Sequence, residues 1–355
     1  MASSEEEAIV RDTIRAFRGK EIEASWERLD RPDAVLFGSL WATLDELGVL
    51  ALGLPDSDGG LGLGPQARFE VFSELGAGSP ALALAVLLHS SALSLLHEPA
   101  AGLSAELIER IEGRRLTLVG PLLSTTPSAA LELHSNGGRL LHGHQRIAQA
   151  HADFLLIAAS TPDGPKLALV AADAEGLEFL PVPSSHGLRG LPFGALHAEA
   201  AAVEHVLPWP ESGSVQRQAD GLLAAILCGM MGEMAQRSAA YAIERYQGGK
   251  LIHEHDAVRQ LIGPMWLAQR AARALALEVL QSEAGPADAV ASTFAVEQAR
   301  RSGLDSVQSF GGYGYMEDYR VERYLRDAHT IDNFWVQAAR RQRELAERRF
   351  SEMLG

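Results

Sequence analysis

The sequence of 355 residues has one cysteine, no surplus of basic charge and no long apolar run. A lone Cys228 rules out an intramolecular disulfide and fits a reducing compartment. Lys and Arg number 31 against 46 Asp and Glu, a formal net charge of -15. That balance argues against nucleic-acid binding, which needs a basic face, and against an anionic membrane surface. The longest apolar runs, Pro80 to Leu88 and Leu222 to Met231, are too short to span a bilayer. The opening MASSEEEAIVRD is acidic and has no apolar core, so it does not read as a signal peptide. These absences lead to the expectation of a cytoplasmic protein without a membrane span.

What is present is the composition of a folded globular chain. Hydrophobic residues make up 47% and charged residues 22%, and the length allows two or three domains. Residues 1–115 carry apolar positions at helical spacing, as in Glu5 to Phe17 and Ser39 to Leu47. A stretch rich in glycine, LGLPDSDGGLGLG, interrupts them, and Pro65 opens the next helix. His89, in the Ala81 to Leu96 run, reads as a core or interface histidine.

From residue 116 to 210 the pattern changes to short β-prone runs such as FLLIAAS and KLALVAA. Asn136-Gly137-Gly138 reads as a hairpin turn, and the whole as an antiparallel unit. Its histidines, His134, His142, His144 and His151, would alternate between strand faces without an acidic partner, so no metal site is expected. Pro208-Trp209-Pro210 marks a hinge, and residues 211–355 return to long helical patterns. The expected fold is therefore mainly α with a central β domain.

The most specific stretch runs from Gln308 to Trp335, QSFGGYGYMEDYRVERYLRDAHTIDNFW. Gly311 and Gly312 let a backbone approach a ligand closely, and Gln308 adds an amide beside them. The string closely resembles the Q-x-x-G-G-x-G block and the following R-D-A of flavin-dependent acyl-CoA dehydrogenases. Pro55 to Gly64, the Gly187 to Pro208 segment and Gly229 resemble further blocks of that family in the same order. Arg245, Gly249 and Ile252 match its R-x-x-F-G-x-x-[IL] block, although Gly248 replaces the phenylalanine.

The resemblance implies an N-terminal helical domain, an antiparallel β-barrel and a C-terminal helical bundle, assembled as a tetramer. It implies FAD as cofactor, with Arg245, Gln247, Gln308, Gly311, Gly312 and Gln149 as candidate contacts. Arg245 would meet the pyrophosphate, since a guanidinium fork binds phosphate oxygens in pairs. The glycine loop of one subunit would pack against a neighbour's FAD. The implied substrate is an acyl-CoA or acyl-carrier-protein thioester, with electron-transfer flavoprotein as acceptor if the chain is redox-active.

Several positions depart from the family's pattern. GPLLSTTPSAA stands where a T-E-P-x-x-G-S-D loop is usual, and Ile147 and Gln149 replace the flavin-side tryptophan and hydroxyl. The reaction needs a carboxylate to take an α-proton of the thioester while hydride leaves the β-carbon for the flavin. Counting from Arg326-Asp327-Ala328 puts that base at Trp335, and the alternative position on the earlier helix is Ala219. The carboxylates nearest in sequence are Asp220 and Asp332, each also readable as a helix cap. Three readings follow: a dehydrogenase with a displaced base, a subunit of a heteromeric acyl-CoA dehydrogenase, or a member that binds a thioester or transforms it without redox chemistry.

Overall fold

A computed structural model describes residues 4–52, 54, 58–119, 131–134, 140–148, 152–182, 185–210, 213–282 and 289–354. The N-terminal helices are α1 (Ser4–Phe17), α2 (Trp26–Leu29), α3 (Ala34–Glu46), α4 (Pro65–Gly78), α5 (Pro80–Leu96) and α6 (Ala105–Ile111). Their starts follow local chemistry. Asp33, Ser79 and Ser104 each accept the amide three residues on, giving a partner to a donor that a helix start otherwise leaves orphaned. Helix α5 is mostly apolar, and every residue from Pro80 to Ala92 is buried, His89, Ser90 and Ser91 included.

The middle of the chain forms one sheet from β1 (Leu116–Val119), β2 (Leu131–His134), β3 (Leu140–Ala148), β4 (Phe154–Thr161), β5 (Gly164–Ala171), β6 (Leu177–Pro181), β7 (Phe193–Ala202) and β8 (His205–Pro208). The order is β6-β7-β3-β2-β4-β5-β8, with β1 beside β4. Most pairings are antiparallel, as the alternating pattern leads one to expect. Strand β4, however, runs parallel to both β1 and β2. The His134 and His142 rings meet edge to face with centroids 4.8 Å apart. Among the described residues no group of three or more His, Cys, Asp or Glu side chains gathers as metal ligands. The Gly120 to Ala130 stretch, the Asn136-Gly137-Gly138 turn, Gln149 and His151 lie outside the described residues.

The C-terminal part contains α7 (Ser214–Glu244), a hairpin of β9 (Tyr246–Gln247) and β10 (Lys250–Leu251), then α8 (Asp256–Gln281), α9 (Val290–Phe310), α10 (Val321–Ile331) and α11 (Ala338–Leu354). Gly248 and Gly249 form the hairpin turn with φ of +65° and +85°, the paired positive angles that a two-residue turn demands. Helix α7 is the central strut. Its Gly229 lies against the Ser73 carbonyl of α4, and Gly76 of α4 lies against the Ile226 backbone, so the two helices cross at backbone distance. Cys228 is buried there, and burial pushes its thiol up to about 12, which leaves it inert. No described helix is long and apolar enough to cross a membrane.

Helix α10 joins the three parts. Arg323 donates to the Gly78 carbonyl (2.7 Å) and the Tyr324 hydroxyl to the Ala77 carbonyl (2.5 Å), serving the orphan acceptors at the end of α4. On the other side Asp327 accepts from the Leu188 amide (2.5 Å) and Thr330 from the Gly187 amide (3.0 Å). Any side chain at Gly187 would meet the Arg326 backbone. The Arg326-Asp327 pair thus docks the β6–β7 loop onto α10.

Candidate functional site

The residues predicted from sequence fall into two groups at opposite ends of α7. Arg245 and Gln247 lie at its C-terminal end, Ala219 and Asp220 near its N-terminal end. At 1.5 Å per residue Asp220 and Arg245 are about 37 Å apart along the helix axis.

At the C-terminal end, Tyr241 stacks on Phe310 with ring centroids 4.3 Å apart, and Tyr319 closes on both edges. The Arg245 guanidinium lies over the Tyr313 ring, 5.4 Å from its centroid. Among the described residues no hydrogen bond or ion pair engages that guanidinium, and its Nε is buried without a partner. A cation held over an aromatic face with unused donors is suited to an external oxyanion. Gln247, Gln308, Gly311 and Gly312 are exposed on the same part of the chain. A Cβ added at Gly311 or Gly312 meets nothing within 4 Å, so the loop faces open space, and Gly311 has a φ of +59°. Gly314 differs: it is buried against Val307 and serves packing. The aromatic box of Tyr241 and Tyr319 was not anticipated from sequence, because Tyr241 is far from the glycine loop along the chain.

The N-terminal end is differently built. Asp220 is 3% exposed and accepts from the Ala291 amide (3.1 Å), the Ser292 amide (2.8 Å) and the Ser292 hydroxyl (2.5 Å). It caps α9, whose own N-cap residue, Ala289, has no side-chain acceptor. Burial raises its carboxyl above the usual range, against the hydrogen bonds from Ser292. Asp332 accepts from Arg300 (2.8 Å) and from the Ala338 amide at the start of α11 (2.8 Å). Both aspartates offered as catalytic candidates are therefore engaged with helix starts.

Trp335 is 7% exposed and lies edge-on to Phe193 at 6.3 Å and beside Phe334 at 5.5 Å. Ala219, 1% exposed, belongs to the same apolar cluster as Trp335, Val336 and Ile331. The two positions where sequence counting puts a base are thus both apolar and packed.

Comparison with known proteins agrees with this architecture. The profile "Acyl-CoA dehydrogenase, N-terminal domain" matches residues 4–99, and "Acyl-CoA dehydrogenase, C-terminal domain" matches residues 220–333. Together they span more than half of the chain, which belongs to the acyl-CoA dehydrogenase family. It is 29% identical to benzylmalonyl-CoA dehydrogenase of Aromatoleum aromaticum, over 91% of this chain and 92% of the relative. It is 26% identical to L-prolyl-[peptidyl-carrier protein] dehydrogenase of Pseudomonas fluorescens, over 81% and 84%. The fold is shared with butyryl-CoA dehydrogenase from Megasphaera elsdenii, at a TM-score of 0.77, 20% identity and 94% coverage of each chain.

Proposed function

We propose that the chain is an FAD-binding subunit acting on an acyl thioester, CoA-linked or carrier-linked, within an assembly of acyl-CoA dehydrogenase type. The observation that carries this reading is a contrast between two sites. Arg245 has unused donors beside an open glycine loop, while both base positions are packed apolar core and both neighbouring aspartates cap helices. Arg245 would hold the cofactor's pyrophosphate, with Gln247, Gln308, Gly311 and Gly312 alongside it. The bound flavin would supply an acceptor for hydride. Proton abstraction in the chain's own site has no carboxylate at Trp335 or Ala219 to perform it, which favours pairing with a homologous subunit that carries one.

Exposed apolar side chains near the proposed cofactor face support assembly: Tyr246 (65%), Tyr315 (77%) and Met316 (45%). The second reading, a non-redox thioester protein, draws on the same packed base positions. The absorption spectrum of the purified chain, alone and after co-expression with a homologous subunit, tests the proposal. Flavin absorbance in either preparation is expected. Its absence from both refutes the flavin reading and leaves the non-redox one.

A further inference from the structure

Arg245 differs from the other arginines that lie over aromatic rings. Arg110, Arg273 and Arg320 also donate to the carboxylates of Glu204, Glu70 and Glu23, and Arg323 donates to the Gly78 carbonyl. Arg245 has the Tyr313 ring and, among the described residues, no hydrogen-bond acceptor or carboxylate. A ring face attracts a guanidinium without using its hydrogen bonds, because the five N–H donors lie in the guanidinium plane and point out from its edge. Such a cation keeps its charge and its fork for a ligand.

Tyr313 is itself held in place. Gly314 is buried against the Val307 backbone, and the Met316 amide donates to the Tyr313 carbonyl (3.1 Å), which fixes the turn that carries the ring. Tyr319 lies against Tyr313 with centroids 5.3 Å apart, and Tyr241 meets it edge to face at 6.5 Å. Tyr241 is one turn before Arg245 on α7, and its carbonyl accepts the Arg245 amide (3.0 Å). The Arg245 carbonyl accepts the Ile252 amide (2.8 Å), so the backbone is fixed on both sides. Gly311 and Gly312, beside Tyr313 in the chain, face open space. A free arginine loses rotamer freedom when it grips an anion, and a ring that has already ordered the side chain lowers that cost.

We propose that Tyr313 is a positioning residue for the Arg245 site: its ring holds the guanidinium over its face and leaves the donor edge free for a diphosphate. This role rests on Arg245 as the pyrophosphate contact and acts through Arg245 rather than on the phosphates.

Titration calorimetry on the full chain, stripped of any bound flavin, tests this with ADP and FAD as probes. Tyr313→Leu should weaken both by about three- to tenfold, the combined scale of a cation–π contact and a pre-ordered side chain. Tyr313→Phe keeps the ring face and should bind within about twofold of the wild type. In an Arg245→Ala background Tyr313→Leu should have little further effect, since the ring then has no guanidinium to hold. Tyr313 is 40% exposed, so Tyr313→Leu should melt with the wild type, and Tyr313→Gln replaces it should the leucine variant fail to fold. Unchanged affinity in Tyr313→Leu overturns the proposal and leaves Arg245 as the phosphate contact. So does equal weakening with and without Arg245, which would put the ring on the ligand or in the loop's own structure. A wild-type chain that binds neither probe overturns this role and the flavin reading together, whereas one that binds ADP but not FAD, with the variant pattern above, keeps the role and refutes the flavin.

Discussion

Asp220 of α7 holds Ser292 at the start of α9 through both its amide, at 2.8 Å, and its hydroxyl, at 2.5 Å. The partners are far apart in sequence, so the contact both caps the start of α9 and fixes how two long helices meet. Asp220→Asn should keep an acceptor but lose the charge and force an NH₂ group against donors. A stability loss of about 1.5–3 kcal/mol, the scale for a hydrogen bond to a charged group, is expected in urea denaturation. An unchanged midpoint would show that the cap does not hold α9.

Two buried groups act in opposite directions between pH 4 and 6.5. Burial pushes the Asp327 carboxyl up to about 6 from 3.8. A raised folded-state value gives stability that is present below the unfolded value and lost as pH rises toward 6. Burial pushes His89 down to about 4 from 6.5. It stays neutral beside Trp41 and accepts the Leu116 amide, so its contribution is present above 6.5 and lost as pH falls toward 4. Each amounts to about 3 kcal/mol, at 1.36 kcal/mol per unit. The two contributions oppose each other, and variants at each position separate them in urea midpoints measured across this range. Asp327→Asn should unmask destabilisation on acidification, and His89→Gln destabilisation as pH rises. Curves parallel to the wild type would contradict both assignments.

Glycine substitutions separate packing from propensity. A Cβ at Gly229 would run into the Ser73 carbonyl and the Ala77 amide, both backbone atoms that no rotamer change can move. Gly229→Ala should cost at least about 1–3 kcal/mol through overpacking between α4 and α7. Gly38, inside α3, has nothing within 4 Å of its added Cβ. Gly38→Ala should stabilise by roughly 0.5–1 kcal/mol. Thermal melts of the two variants should move in opposite directions.

The alternation of helical and β patterns was legible because each period is a local property of the chain. The long helical patterns expected over residues 211–355 appear as α7, α8, α9, α10 and α11. Local patterns could not supply the parallel pairing of β4 with β1 and β2, because register depends on distant strands. They gave Gly248-Gly249 only as part of a block resembling the family's, and the structure makes it a hairpin turn. Asp220 and Asp332 were equally ambiguous. A carboxylate's role is set by what faces it, and Ser292 and Arg300 lie on α9, which neighbours them only in space.

Cofactor binding and turnover should separate along the same line. Arg245→Ala should weaken FAD binding by about 1.5–3 kcal/mol, read by titration of flavin fluorescence. General-base catalysis supplies about 10²–10⁴-fold, so on the proposed reading, which puts Trp335 and Ala219 in the base positions, the isolated chain should reduce its flavin slowly with saturated acyl-CoA. Pairing with a homologous subunit bearing the carboxylate should raise the rate by that factor. Asp220→Asn and Asp332→Asn, compared at equal folded fraction, should leave the isolated chain's residual rate unchanged, because both carboxylates are tied to helix starts. Rapid flavin reduction by the isolated chain, abolished by one of these two changes, would identify that aspartate as the base. Rapid reduction that neither change affects would mean that Trp335 and Ala219 are not the base positions and that another group takes the proton.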